Sequence, residues 1–299
     1  MVGIHTAVST ASLLALTAWC CLTRADVGDF TPCADFLYRA SSPKGLLGIP
    51  ICQRYLNRYR FASLYSRRYR APCYSAYIFS SPAGKRPKDH WKYEPQLAYP
   101  KADGNMVLFR EGKVDPNIVE SQAVQTDYIN SSYTHGHLNP NLHHQDQETR
   151  SSTFTLTNVV PQKSGSNGGP WASLERNVSN LLKKYCKDKA YIVTGAMPYQ
   201  TERWLKEHRV AIPEYLWSAY CCPNYTKPPE NLRHLFPTFA AIGRNDPNST
   251  EKIVPIDRGK KKQFWGYDVR TMPLDTLEIY LRDRFGTFVS VFYNQCSEQ

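Results

Sequence analysis

No Cys-x-x-Cys pair occurs in the 299 residues, which removes the usual knuckle of a structural zinc site. Beyond residue 25 no apolar run approaches the roughly 20 residues of a membrane-spanning helix. The last residues also lack the long apolar tail that a lipid anchor replaces. Internal repeats and long linkers are missing too, so a solenoid or a string of modules is not expected. Acidic side chains are the scarce charge: 26 Asp and Glu stand against 37 Lys and Arg, a formal net charge of +11. That excess attracts polyanions, whether nucleic acid, heparin-like glycans or anionic lipid, and charge alone does not choose among them.

What is present begins with an address. Ala7 to Leu22 is apolar and uncharged, and Thr23-Arg24-Ala25 follows with small residues at both cleavage positions. This reads as a signal peptide, residues 1–25, leaving one secreted domain over residues 26–299 without a membrane anchor. Cys20 and Cys21 leave with the leader, so Cys33, Cys52, Cys73, Cys186, Cys221, Cys222 and Cys296 remain. In an oxidising compartment these support up to three disulfides and one odd thiol. Adjacent Cys221 and Cys222 are expected to reach different partners. Glycosylation sequons begin at Asn130, Asn177, Asn224 and Asn248, in keeping with secretion.

Periodicity gives the elements. Tyr69 to Phe79 and Thr153 to Val160 (TFTLTNVV) read as strands, with a turn at Ser81 to Gly84. The stretch 87–116 reads as surface loops, and Ser164 to Gly169 as a loop. Pro170 can open a helix whose apolar face is Leu174, Val178, Leu181, Leu182 and Tyr185. Ala190 to Ala196 and Tyr215 to Tyr220 are further strands. Leu274, Leu277, Leu281 and Phe285 mark a second helix. The mixture predicts an α+β fold.

The polar groups of a candidate site cluster in Tyr133-Thr134-His135-Gly136-His137-Leu138-Asn139-Pro140, followed by Asn158, Asn167 and Glu175. An extended His-x-His pair points both rings to one side, so one neutral imidazole can take a proton from water while the other grips an anion. Amide and carboxylate oxygens are hard ligands suited to Mg²⁺, which keeps most of its waters. A second signal is Arg54, Arg58, Arg60, Arg67, Arg68 and Arg70 interleaved with Tyr55, Tyr59, Tyr65 and Tyr69. Such a mixture can track a phosphate backbone, or it can be strand core with a solvated arginine face. Lys260 to Lys262 reads as an exposed basic loop. A zinc site from His135, His137, His143 and His144 is a further arrangement that the histidines alone allow.

THGHLNPN, TFTLTNVVPQ and SNGGPWASLE together resemble the active-site run of the DNA/RNA non-specific endonucleases, the ββα-metal nucleases. ICQRY at Ile51, FASLY at Phe61, YSAYIF at Tyr74, EPQL at Glu94 and LWSAYCC at Leu216 resemble its endonuclease domain-containing 1 branch. The resemblance implies a central, mostly antiparallel sheet flanked by helices, and hydrolysis of DNA and RNA with Mg²⁺ or Mn²⁺. It implies His137 as general base, Asn167 as metal ligand, Glu175 ordering water at the metal and Asn158 in support. His135 stands where that family usually carries arginine. A second family arginine precedes a tryptophan, here Trp91, and Lys85, Arg86 and Lys88 compete for that place as substrate-binding groups. These departures keep open an alternative, a catalytically weak protein that binds nucleic acid or other polyanions on the same fold. Cys73, where the resemblance leads one to expect an aliphatic side chain, is the expected odd thiol.

Overall fold

The structure is a computed structural model that describes residues 27–88, 90–110 and 112–296; the expected leader, residues 1–25, lies outside them. A seven-stranded antiparallel sheet runs in the order β1-β2-β3-β8-β9-β10-β11. Its strands are β1 (Ile49–Tyr55), β2 (Arg58–Ser66), β3 (Ala71–Ile78), β8 (Tyr191–Leu205), β9 (Val210–Cys221), β10 (Thr238–Arg244) and β11 (Val269–Met272). Two ribbons flank it, β4 (Lys92–Tyr93) with β5 (Val107–Leu108), and β6 (Thr134–His137) with β7 (Val159–Gln162). The helices are α1 (Pro95–Ala98), α2 (Pro116–Ser121), α3 (Gln125–Tyr128), α4 (Gln147–Ser152), α5 (Ser164–Asn167), α6 (Pro170–Tyr185) and α7 (Leu274–Phe285). The α+β expectation holds.

Strand alternation explains why β9 is buried along almost all its length. Leu216 and Tyr220 enter one apolar cluster, with α6 and the β6–β7 ribbon. Tyr215, Trp217, Ala219 and Cys221 enter the other, with α7. Each face of the sheet is therefore covered. The β1–β2 hairpin closes through Leu56 and Asn57, both at positive φ, as a two-residue hairpin turn requires.

The same alternation separates the adjacent cysteines. Cys221 bonds Cys296, and Cys222 bonds Cys186, while Cys33 bonds Cys52. Loop closure over separations of 19 to 75 residues stabilises by about 3–4.5 kcal/mol per bridge in the chain-entropy picture. Among the described residues Cys73 is the free cysteine. Burial pushes its thiol up to about 12, so at pH 8 the native protein should alkylate there at least about a hundredfold more slowly than an open cysteine. Timed iodoacetamide labelling with peptide mapping reads this. A Cys73 peptide modified at the open-chain rate would refute it.

Three sequence expectations need correction. The run Thr153 to Asn158 is not a strand. Ser152 and Thr153 hydroxyls donate to the Thr149 and Arg150 carbonyls at the end of α4, and Leu156–Asn158 is a 3-10 turn closed by Asn158 N on Thr155 O. Local hydroxyl bonds outcompete the ladder there, and β7 begins only at Val159. Within the expected loop Ser164 to Gly169, Ser164–Asn167 is a helical turn, α5, followed by Gly168 and Gly169. The stretch 87–116 is only partly surface, since Lys92, Glu94, Gln96, Leu97 and Met106 are buried.

Candidate active site

The site is assembled from the β6–β7 ribbon and α6. His137 pairs with Val159 and His135 with Pro161 across the ribbon, so both rings leave on one side. Gly136 between them has no room for a side chain, because a Cβ would stand 2.4 Å from the Gln162 side chain. α5 and α6 then fold back, and Arg86, Trp91, Thr134, His135, His137, Asn141, Asn167 and Glu175 line one cavity of about 380 Å³.

Thr134 orients the candidate metal ligand. Its hydroxyl donates to the Gln162 carbonyl (2.8 Å), so it can only accept from Asn167 Nδ2 (2.9 Å). That bond turns Asn167 Oδ1 away from Thr134. Asn158 works behind the cavity wall. Fully buried, it donates to the Asn139 and Thr153 carbonyls and accepts from Ser75 Oγ and Asn139 N, all between 2.9 and 3.0 Å. With every polar site of its amide used, it anchors the chain leaving β6 and does not face the cavity.

His137 is half-buried and its Nε2 has no partner among the described residues. Burial, with the Arg86 and His135 charges adding in the same direction, pushes it down to about 3. The ring is neutral at physiological pH. His135 is held differently: it stacks on Trp91 at 4.3 Å and on Tyr128 at 4.1 Å between ring centroids. Trp91 and Phe154 also pack on the His137 ring.

His143 and His144 are buried and bonded elsewhere. His143 Nε2 donates to the Glu175 carbonyl (2.9 Å), so Nδ1 accepts from the Tyr77 hydroxyl (2.9 Å). This relay ties α6 to β3. His144 Nε2 meets Asn139 Oδ1 at 2.6 Å. Neither reaches the cavity lining, and no group of three His, Cys, Asp or Glu side chains able to hold a metal occurs among the described residues.

Burial, partly offset by Arg176, raises the Glu175 carboxyl from 4.5 to about 8. Below pH 4.5 folded and unfolded chains both hold that proton. Above about pH 8 the folded chain must bear a buried carboxylate that the unfolded chain bears at no cost, so stability falls across this window by up to a few kcal/mol. In EDTA, Glu175→Gln should therefore be the more stable protein at pH 8.5, with the gap closing by pH 5. Paired denaturant titrations check it, and a gap independent of pH would exclude Glu175 as its source.

Of the three competing cations, Arg86 lines the cavity and Lys85 and Lys88 do not. Lys88 is exposed and follows buried Pro87. Of the two readings of the arginine–tyrosine run, the contacts of four of its arginines favour a structural one. Arg60 is buried against Asp146 and Glu148, Arg67 donates to the Leu97 carbonyl, Arg68 pairs with Glu202 and Arg70 with Glu120. None lines the cavity. The four sequon asparagines, Asn130, Asn177, Asn224 and Asn248, are all exposed. Sequence reasoning gave no role to Tyr128 and offered His143 only as one of four histidines of a zinc site. Their contacts join distant segments, and only a fold can reveal them.

A family model described as DNA/RNA non-specific endonuclease matches residues 46–258. Endonuclease domain-containing 1 protein of Homo sapiens is 32% identical over 200 residues, covering 64% of this chain and 39% of that protein. The Mus musculus protein of the same name is 33% identical over 204 residues with the same coverage. Nuclease EXOG, mitochondrial, of Xenopus laevis is 30% identical over 119 residues, 36% of this chain and 33% of that one. The matched part thus spans about two fifths of the length of the first two relatives. Among solved structures, the EndoG/EndoGI complex aligns at 18% identity and a TM-score of 0.47, covering 76% of this chain and 81% of that chain.

Proposed function

This chain belongs to the DNA/RNA non-specific endonuclease family, and from that premise we propose that it is a secreted, metal-dependent endonuclease acting on DNA and RNA as a single domain over residues 26–299. One observation carries the reading: His137 Nε2 is unpartnered on a ring that burial keeps neutral, in the same cavity as Asn167 and Glu175. A neutral imidazole is a competent base, and one without a partner has its lone pair available.

The donor set fits Mg²⁺, or Mn²⁺ in its place. Asn167 offers one amide oxygen and Glu175 a carboxyl, which a bound dication would ionise, in a roomy polar cavity. Few protein ligands suit an ion that keeps most of its waters. The ion would supply charge neutralisation at the phosphate and at the departing 3′-oxygen.

His137 takes a proton from water, the water oxygen bonds to phosphorus, and the P–O3′ bond breaks to leave a 5′-phosphate and a 3′-oxyanion, which takes a proton from solvent water to become the 3′-hydroxyl. Arg86 holds the phosphate at the cavity edge. Thr134 fixes the Asn167 amide, and Asn158 fixes the backbone beyond His137. His135 contributes a wall of the cleft, with its plane set by Trp91 and Tyr128.

The second reading, a weak enzyme that chiefly binds polyanions, is favoured by that stacking, which stands in place of an extended arginine. Secretion rests on the leader, the exposed sequons and the three disulfides. No helix among the described residues is long and apolar enough to cross a membrane. Protein purified from culture medium should begin at Asp26 and nick plasmid DNA with Mg²⁺ but not in EDTA. Nicking that persists in EDTA would sink the metal-dependent reading, and binding without nicking would favour the second.

A further inference from the structure

The basic run after residue 257 has no part in the chemistry above and is folded against the turn that carries Asn167. Phe264 packs on Gly169, where a Cβ would meet its ring at 2.8 Å, and Tyr267 packs on Gly165, where a Cβ would meet its ring at 2.2 Å. Gly165, two positions before Asn167 on the same helical turn, lies on the opposite face from it. The turn is therefore a wall, with Asn167 toward the cavity on one side and this loop on the other.

The loop is braced. Asp257 N donates to buried Asp268 and Gly259 N to Asp257 Oδ1, and the Trp265 indole donates to the Lys260 carbonyl (2.7 Å). Lys260 is neutralised by Asp268. Arg258, Lys261 and Lys262 are exposed, and among the described residues none of them pairs with a carboxylate. Beside them Trp265 leaves 38% of its surface open, a fixed aromatic face among cations. The matched family segment ends at residue 258, so Lys261, Lys262 and Trp265 lie beyond it.

We propose that Arg258, Lys261 and Lys262, with Trp265, form a second nucleic-acid contact that grips the backbone of the strand running out of the catalytic cavity past the Asn167 turn. The wall is about one helix diameter, roughly 10 Å, and phosphates on one strand of a duplex recur every 3.4 Å or so along the axis. The loop therefore reaches phosphates about three nucleotides from the one being cut. Cations without partners supply the affinity, and an aromatic face tolerates any base stacked on it. Such a contact favours polymers over short fragments without reading sequence.

The inference rests on the nuclease reading for the identity of its ligand, so it is tested by binding alone. Anisotropy of a labelled DNA duplex, measured in EDTA across a salt series, gives the slope of log affinity against log salt. Arg258→Ala/Lys261→Ala/Lys262→Ala should lower that slope by about 3, near one per lost phosphate contact, and weaken binding at least about tenfold at low salt. Lys183→Ala/Lys187→Ala/Lys189→Ala removes the same charge from exposed positions at and beyond the far end of α6 and should leave the slope in place. An unchanged slope in the first variant, or an equal fall in the second, overturns the proposal. Loss of heparin-oligosaccharide binding with the DNA slope retained overturns it too, and assigns the loop to sulfated glycans. Failure of the wild type to nick plasmid while this slope difference persists would fall on the nuclease reading and not on the contact.

Discussion

Replacing His137 with alanine should slow plasmid cleavage by roughly 10² to 10⁴, the range that a positioned general base supplies. Affinity for DNA in EDTA should stay within about twofold, because the ring is neutral and contributes no charge to the backbone contact. The environment makes the expectation sharper. Burial, with the Arg86 charge adding to it, holds the proton affinity of the free ring low, near 3, so His137 is not lost to protonation as the pH falls toward 5. A bound phosphate reverses part of this, since an anion beside the ring favours its charged form. The ring becomes a stronger base when substrate is in place. Opposed charge demands on His135 and His137 would give a bell-shaped pH profile, but the stacking of His135 between Trp91 and Tyr128 gives that picture no direct support. Activity of the wild type should instead hold on the acid side until groups other than His137 titrate. Cleavage rates from pH 5 to pH 8 with both proteins decide the matter. An alanine variant as fast as wild type would remove His137 from the chemistry.

The parts of the molecule legible in its sequence are those governed by short-range rules. α6 was visible because Leu174, Val178 and Leu182 recur on one face, and Pro170 marked its start. His-x-His on a strand placed both rings in one cavity, as period-2 alternation requires. Cys221 and Cys222 parted for the same reason. The misreadings also have a common cause. TFTLTN alternates like a strand, but the Ser152 and Thr153 hydroxyls are committed to carbonyls in the preceding helix and the Thr155 hydroxyl to the Lys92 carbonyl, and the side chains of the run are all buried. The arginines of β1, β2 and the turn after β2 have the composition of a phosphate track, yet Arg60, Arg68 and Arg70 each meet a carboxylate more than 45 residues away. Contacts at that separation leave no mark in local pattern. Setting Arg86 apart from Lys85 and Lys88 likewise needed the folded cavity, and the clamp around His135 needed Tyr128 brought from another element.

Truncating Asn167 to alanine should abolish most of the metal response, with the concentration of Mg²⁺ needed for half-maximal cleavage rising at least about a hundredfold. Residues that merely support a ligand are typically worth 10- to 100-fold in metal affinity, and a direct oxygen donor to an otherwise hydrated ion should exceed them. Asn167→Asp separates donation from positioning. Aspartate keeps an oxygen at the same reach and adds a negative charge, which by itself strengthens the hold on a dication. It also loses the amide hydrogens that Thr134 Oγ1 accepts, and that hydroxyl already gives its one proton to the Gln162 carbonyl. Two oxygens without a proton between them repel, so the carboxylate must swing away from Thr134. The aspartate variant should therefore recover metal binding, read by calorimetry with Mn²⁺, while recovering only part of the cleavage rate. Recovery of both in full would mean that the Thr134 bond does not set the geometry. A wild-type metal titration in the alanine variant would place the ion elsewhere in the cavity.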